Sequence, residues 1–353
     1  MILNPTEDQL ELRTAVARFV AEVTPMPAVR RAMDTEPGYD PAAWKRLCGQ
    51  LGIPALAISE EGGGAGFGVT ELTVAMQECG AGLVPGPLLG SGVIAALVLD
   101  AVGDRTVLPS VVAGTTIASL AQDPSLTVDG GAVFGTVSEV LDAMTADVFV
   151  VAAGNSVYTV DATDPAVSRH ALVTLDPTRR QGAVQFDGAA ATLVGSSDGL
   201  AAGLDRATVA LAAEQLGAMQ RCLDLTVDYV KVREQFGRKI GSFQAVKQGL
   251  ADVYTSVELA SAAVAYAAWT ADHEPENLAI AASVAKAYVG PEAFEAASQM
   301  VQYHGGIGYT WEHDAHLYYK RIKTTETMLG SADDHLGRIA AHLLDGIEAE
   351  RIH

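Results

Sequence analysis

Apolar residues recur at helical spacing through the first hundred positions. Five of them fall on one face of a first helix: Leu12, Val16, Phe19, Val20 and Val23. Thr6 and Gln9 fit a capping box at the start of that helix. Three further helical stretches are predicted, at residues 41–51, 70–80 and 86–99, and a glycine-rich loop covers residues 59–68. The pattern predicts a helical N-terminal region.

The period changes in the middle of the chain. Four short runs are rich in β-forming residues: Val148–Ala152, Ser156–Val160, Ala171–Leu175 and Ala183–Phe186. Turn dipeptides such as Gly154-Asn155 and Asp187-Gly188 separate these runs. We therefore expect a small antiparallel sheet or barrel between about residues 112 and 195.

Helical periodicity returns at about Leu204. A long seam of alternating three- and four-residue steps runs from Phe243 to Val264. Further helices are predicted at residues 275–303, with a kink at Gly290-Pro291, and at residues 313–348, with a break near Gly330. The predicted fold class is α+β, mainly α. It comprises an N-terminal helical domain (1–111), a small central antiparallel β-domain (112–198) and a C-terminal helical bundle (199–353).

Composition narrows the possible classes of function. Hydrophobic residues make up 49% of the 353 positions, which excludes global disorder, and the net charge of −20 argues against nucleic acid as a partner. The richest apolar stretch is too short to span a membrane. The N-terminus shows no signal-peptide pattern, and the three scattered cysteines match neither a disulfide framework nor a metal site. We expect free or buried thiols and a cytoplasmic protein.

Positive charge is concentrated between two of the predicted long helices. Arg233, Arg238 and Lys239 lie there with Phe236 and Phe243. Arginine near a helix terminus can bind a diphosphate, and the aromatic rings could stack on a planar base. Composition alone favours a plain helix–helix corner with solvated basic residues.

A second glycine-containing segment follows a predicted long helix. It reads Gln302-Tyr-His-Gly-Gly-Ile-Gly-Tyr309, and adjacent glycines permit close approach of a ligand to the backbone. Taken alone, the segment is better explained as a simple glycine C-cap followed by a turn. The nearby histidines His304, His313 and His316 have no zinc-site spacing, so no metal is expected.

Together these motifs resemble the signature of the acyl-CoA dehydrogenase family. The resemblance rests on Arg233-Glu-Gln-Phe-Gly237, Phe243-Gln244, the Gln302–Tyr309 segment and the loop Glu60–Gly66. It extends over nearly the whole chain, including the helix–sheet–helix order. It implies FAD as cofactor and acyl-CoA thioesters as substrates. The implied reaction is α,β-desaturation, with electrons passed on to an electron-transfer acceptor.

The resemblance also implies site residues. By their match to the family motifs, the FAD-binding residues are Arg233, Phe236, Gln244, Gln302, Gly305 and Gly306. In the family these groups reach across a dimer interface to the neighbouring subunit's FAD, so the resemblance implies a homo- or hetero-oligomer. Consecutive apolar residues at 210–213 independently suggest buried helices and an oligomer.

Other positions depart from the family pattern. The stretch that holds the flavin ring in the family corresponds here to Ala118–Pro124, without the usual Thr-Glu-Pro. The two positions where family members place the catalytic base correspond to Leu329 and Ala207, neither of which can accept a proton. Asp205 and Glu214 lie near the second position without aligning to it. The catalytic residue is therefore left unassigned.

Three hypotheses follow. In the first, the chain resembles the shorter subunit of heteromeric actinobacterial acyl-CoA dehydrogenases of steroid or lipid breakdown. It then completes the FAD site of a paralogous subunit and turns over no acyl-CoA alone. In the second, it is a self-sufficient homomeric dehydrogenase whose base is Glu214 or Asp205. In the third, it is a flavin-free acyl-CoA-binding or assembly protein. The first is favoured.

Overall fold

The computed structural model describes residues 5–351, with side chains described as far as residue 344. The α-helices are α1 (Glu7–Val23), α2 (Met26–Met33), α3 (Pro41–Arg46), α4 (Val69–Ala81), α5 (Ala96–Ala101), α6 (Leu108–Val112), α7 (Ser197–Val232), α8 (Gln244–His273), α9 (Leu278–His304), α10 (Ala315–Thr327) and α11 (Ala332–Arg351). Two π-helical segments, Leu47–Leu51 and Leu88–Ala95, continue α3 and precede α5. The predicted capping box is confirmed, because the Thr6 and Gln9 side chains each accept from the other's backbone N–H.

The strands are β1 (Ala118–Gln122), β2 (Thr127–Asp129), β3 (Ala132–Leu141), β4 (Val148–Ala153), β5 (Ser156–Asp161), β6 (Val167–Ala171), β7 (Gln181–Ser196), β8 (Glu234–Gln235) and β9 (Arg238–Lys239). The first seven form one sheet in the order β1-β4-β5-β7-β3-β2, with β6 also paired to β7. The long β7 pairs with β3 and β6 along its first half and with β5 along its second half. This change of partner curls the sheet.

The sheet corrects two details of the sequence prediction. Strand β1 runs parallel to β4, so the sheet is mixed rather than wholly antiparallel. The predicted strand at Ala171–Leu175 is wrong, because β6 ends at Ala171 and the fully exposed Val173 lies beyond it. β-Propensity reflects a half-buried packed surface, and that stretch has no such surface to pack on.

By their internal contacts, the described residues fall into two compact units. One contains residues 18–72 and 84–207, including the seven-stranded sheet. Its core is apolar and includes an edge-to-face pair between Phe149 and Phe186, with ring centroids 5.7 Å apart. The predicted three-domain division stays a prediction; residues 1–4 and 352–353 of its outer domains lie outside the described chain.

The other unit contains residues 5–17, 73–83 and 208–351 and is built from long helices. Helix α7 is buried throughout residues 208–213 within the single chain, so that apolar run does not by itself require an oligomer. The predicted break near Gly330 is confirmed, since α10 ends at Thr327 and α11 begins at Ala332. Helix α9 continues through Pro291 to His304.

Candidate functional site

A tight β-hairpin follows α7 and carries two of the predicted site residues. The Arg233 N–H still donates to the Tyr229 carbonyl at 2.9 Å, and Ile240 N–H donates back to the Arg233 carbonyl at 2.9 Å. The two central turn residues, Phe236 and Gly237, have φ of 54° and 75°. Positive φ at both positions is typical of a type I′ turn, which joins the two strands of a hairpin through a two-residue loop. Glycine adopts this conformation freely, whereas Phe236 is strained in it.

The hairpin tip is an exposed aromatic and cationic cluster. Phe236 is 91% exposed and meets Phe243 edge to face, with centroids 6.2 Å apart. The guanidinium carbon of Arg238 lies 3.8 Å from the centroid of the Phe243 ring, a cation–π contact. Within the described residues, no hydrogen bond or ion pair engages the side chain of Arg233. The tip is thus ordered by its own contacts and presents a free guanidinium.

The C-terminal end of α9 lies beside the last turn of α7. The rings of Tyr229 and His304 stack with centroids 4.2 Å apart. Nδ1 of His304 lies 2.7 Å from the Met300 carbonyl, so this nitrogen carries the hydrogen, and burial lowers the pKa of His304. Gly305 directly follows His304, and Arg233 follows Tyr229 by one turn. The stacking therefore brings the Arg233–Gly237 motif close to the Gln302–Tyr309 motif.

Packing within the described chain does not require glycine at Gly305 or Gly306, the pair that follows α9. Gly305 has φ of 61°, which favours glycine, but Gly306 does not share that conformation. A Cβ atom added at either position would meet nothing within 4 Å. Gln302 is exposed one turn earlier. This stretch of backbone is open to a molecule outside the chain.

The start of α8 completes this end of the unit. Gln244 is its first residue and is exposed. One turn later, a Cβ on Gly249 would overlap the Tyr303 hydroxyl, so α8 and the end of α9 are in close contact. The structure therefore gathers all six predicted residues at one end of α7, α8 and α9. We call this region the hairpin–glycine edge.

A groove beside the hairpin adds two lysines that the sequence analysis does not name, Lys231 and Lys247. It has a volume of about 440 Å³, and Lys231, Lys239 and Lys247 line it together with Val230 and Leu250. Lys231 precedes Arg233 by two positions at the end of α7, so a count of basic residues around the motif would have found it. The groove makes this edge strongly basic in a chain of net charge −20.

Glu214 is engaged in the interior. The residue is 3% exposed, and its Oε1 accepts from Nη1 of Arg321 at 2.8 Å. Arg321 also donates to the Leu83 carbonyl at 3.5 Å. The α7 backbone is close-packed at this point, because a Cβ on Gly80 would overlap the Glu214 carbonyl. This geometry is that of a structural ion pair rather than a poised base.

Two buried side chains hold the last turn of α10 and the loop that follows it. Lys286 donates through Nζ to the carbonyls of Thr325 and Glu326 at 3.0 and 2.8 Å. His335 Nε2 lies 3.0 Å from the Leu329 carbonyl. Burial lowers the pKa of Lys286 to about 8. Leu329 sits in this loop with φ of 57° and offers no group that accepts a proton.

Other candidate chemistry is limited in the described part of the chain. Residues 5–344 contain no group of three His, Cys, Asp or Glu side chains placed to hold a metal ion. Cys48, Cys79 and Cys222 are all buried, as expected, and burial raises the pKa of the Cys48 thiol to about 12. No described helix is both long enough and apolar enough to cross a membrane.

Comparisons with known proteins agree with this geometry. The family model of the acyl-CoA dehydrogenase N-terminal domain matches residues 6–113, and that of the C-terminal domain matches residues 200–344. A Mycobacterium tuberculosis protein named acyl-CoA dehydrogenase IpdE2 is 38% identical over 97% of this chain and 99% of its own length. The Mycolicibacterium smegmatis protein of the same name is 39% identical over 96% of this chain and 99% of its length.

Two solved structures are similar over nearly their full lengths. The ChsE4–ChsE5 complex from M. tuberculosis matches with a TM-score of 0.89 and 31% identity, over 98% of this chain and 99% of the other. The Tcur3481–Tcur3483 steroid ACAD G363A variant matches with a TM-score of 0.89 and 29% identity, over 97% of this chain and 99% of the other. The predicted fold class and enzyme class are confirmed. The chain belongs to the acyl-CoA dehydrogenase family.

Proposed function

We propose that this chain is a subunit of an FAD-dependent acyl-CoA dehydrogenase and that its hairpin–glycine edge completes the FAD site of a paralogous partner. The observation that carries the proposal is that all six motif residues lie together, exposed, at one end of the helical unit. They are Arg233, Phe236, Gln244, Gln302, Gly305 and Gly306. Their exposure leaves these groups available to a molecule outside the chain.

The residues of this edge fit a dinucleotide. The unengaged Arg233 guanidinium can fork onto two diphosphate oxygens. The open backbone at Gly305 and Gly306 allows close approach, and Phe236 offers an exposed ring face for an adenine. When bound, FAD supplies the oxidant for α,β-desaturation. The lysines of the adjoining groove add positive potential toward the phosphates.

The proton-abstracting group is assigned to the partner. Ala207 is buried and apolar, Leu329 has no acceptor, and Glu214 is bound to Arg321. Asp205 is half-buried and does not align with the family position. The partner therefore supplies the base, and an electron-transfer acceptor reoxidises the flavin. The similar steroid ACAD variant makes a steroidal acyl-CoA the first substrate to test. A cytoplasmic location stays a prediction.

Arg233 provides the direct test of the edge. Charge-assisted contacts are worth roughly 1.5–3 kcal/mol, so Arg233→Ala should weaken FAD retention by the assembled complex about 10- to 100-fold. Arg233→Lys should not restore it, because an ammonium cannot fork onto two oxygens. Arg18→Ala is the matched control, since Arg18 is exposed and pairs with the exposed Glu22 one helical turn away. FAD retention should be measured by flavin absorbance after gel filtration. Equal retention by Arg233→Ala and Arg18→Ala would contradict the proposal.

A homomeric enzyme is the second candidate. The observation that keeps it open is that the hairpin–glycine edge would serve a second copy of this chain as well as a paralogue. A homomeric enzyme requires a catalytic base on this chain, which makes Glu214 the residue to test. Glu214→Gln, which keeps the size of the side chain, should change turnover of the assembled complex by less than about tenfold if the base lies on the partner. A loss of several orders of magnitude with flavin still bound would favour the homomeric enzyme.

A further inference from the structure

A cavity of about 520 Å³ lies in the sheet-containing unit, formed by the end of α1, by α2 and α3 and by the loops between them. Its walls are mainly apolar and include Val29, Trp44 and Leu47. The volume falls in the range of small-molecule sites, roughly 300–1,000 Å³. It is formed by residues 23–47 with Val84 and Pro85, so it contains none of the hairpin–glycine edge.

The walls of this cavity are fixed by contacts from outside it. Arg180 donates through Nη2 to the carbonyls of Met33 and Thr35 at 2.7 and 2.9 Å, which ties the loop after α2 to the sheet. The Trp44 indole N–H donates to the Gly114 carbonyl at 3.0 Å. The Tyr39 ring packs so closely on Gly86 that a Cβ there would lie 2.7 Å from the Tyr39 Cβ. The cavity is therefore preformed rather than a gap between mobile segments.

Two polar groups at the cavity have no protein partner. Within the described residues, no ion pair or hydrogen bond engages the guanidinium of Arg31 or the hydroxyl of Tyr39, and both residues line the cavity. The neighbouring Asp40 serves as the N-cap of α3, because its Oδ1 accepts a hydrogen bond from Ala42 N–H at 2.8 Å. Burial, with the charges of Asp142 and Asp147, raises the pKa of Tyr39, so the phenol keeps its proton and can donate.

We propose that this cavity binds a small hydrophobic carboxylate. Its apolar body packs against Val29, Trp44 and Leu47, and its carboxylate pairs with Arg31 and accepts a hydrogen bond from the Tyr39 hydroxyl. An unpaired guanidinium beside an apolar chamber favours an anionic amphiphile over a wholly apolar ligand. The size limits the occupant to a small molecule. This inference is independent of the FAD edge and of the proposed dehydrogenase activity.

The test is calorimetric titration of the full chain with decanoate and with decan-1-ol, a pair that differs in the charged group. Decanoate should bind one site saturably and more tightly than the alcohol. Arg31→Gln should weaken decanoate binding about three- to fivefold and leave the alcohol unchanged. Arg30→Gln, next to it but absent from the cavity lining, is the matched control and should change neither.

Two further variants locate the site. Ala32→Phe places a ring into the cavity from α2 and should abolish binding of both ligands; its thermal midpoint shows whether it is folded. Tyr39→Phe removes only the hydroxyl and should weaken decanoate about three- to tenfold, which keeps the test valid if Ala32→Phe does not fold. Absence of saturable binding, equal binding of alcohol and acid, or unchanged binding by Arg31→Gln and Tyr39→Phe would overturn the proposal.

Discussion

The helical unit has charged groups in two very different settings. At the hairpin–glycine edge, Arg233 is exposed and has no side-chain partner among the described residues. In the interior, Glu214, Arg321 and Lys286 are nearly inaccessible, and hydrogen bonds engage each of them. Buried polar groups must be satisfied by their own fold, whereas unengaged exposed groups are available to another molecule. The difference separates residues that hold the chain together from residues suited to binding.

The largest expected effect comes from breaking the interior pair. Glu214→Leu removes the carboxylate from the buried Arg321 and should lower the free energy of unfolding by about 3–5 kcal/mol. Urea denaturation followed by circular dichroism measures it. The control is Glu22→Leu, which removes an exposed carboxylate from Arg18 and should leave the midpoint nearly unchanged. Equal midpoints for the two variants would mean that the interior pair is not structural.

Lys286 gives a pH-dependent version of the same test. Its pKa falls from 10.5 in the unfolded chain to about 8 in the folded chain. Below pH 8 both states hold the proton, so Lys286 adds no pH dependence there. Between pH 8 and 10.5 the unfolded chain binds more protons, so the contribution of Lys286 to stability rises with pH, by about 3 kcal/mol in all.

Denaturation of the wild type and of Lys286→Met across this range isolates the contribution. The wild type should gain stability relative to Lys286→Met as the pH rises from 7.5 to 10. Lys323→Met serves as the control, because Lys323 is about half exposed, pairs with Glu326 three positions along and lies 4.4 Å from the centroid of the Phe294 ring. Parallel pH profiles for the wild type and Lys286→Met would show that the burial of Lys286 does not perturb its titration.

The smallest expected effect concerns the strained tip of the edge. Phe236 has φ of 54°, a conformation that asparagine tolerates better than phenylalanine. Phe236→Asn should raise the free energy of unfolding of the single chain by up to about 1 kcal/mol while weakening FAD retention by the complex. Phe67→Asn, at another exposed phenylalanine without positive φ, should show neither effect. A loss of stability in Phe236→Asn would argue against strain at this position.

Sequence periodicity was sufficient for the long helices and for β4, β5 and part of β7, but it predicted no strand at β1, β2 or β3. It misplaced the strand at Ala171–Leu175, because local β-propensity does not reveal whether a partner strand is present. It also could not show the parallel pairing of β1 with β4, which depends on chain topology. The motif residues of the site, and their use at one FAD, were found from their resemblance to the family. Periodicity could not place them together, because their common location depends on the packing of Tyr229 on His304 between helices far apart in sequence.

The interior roles were even less predictable. Glu214 stands in an apolar stretch, and its sequence context is compatible with either a base or an ion pair. The choice depends on Arg321, which is 107 positions away. The cavity beside Arg31 and Tyr39 likewise depends on Arg180 and Gly114, which are distant in the chain. Such features depend on long-range packing, which residue periodicity and motif spacing do not report.

The central claim is that this chain completes a partner's flavin site and has no complete site of its own. The most direct measurement is the flavin content and acyl-CoA turnover of the purified chain alone, with excess FAD, and after co-expression with a paralogous subunit. We expect the chain alone to show no flavin absorbance band and no turnover. The co-purified complex should show a flavin absorbance band and acyl-CoA turnover. A yellow, active single chain would contradict it.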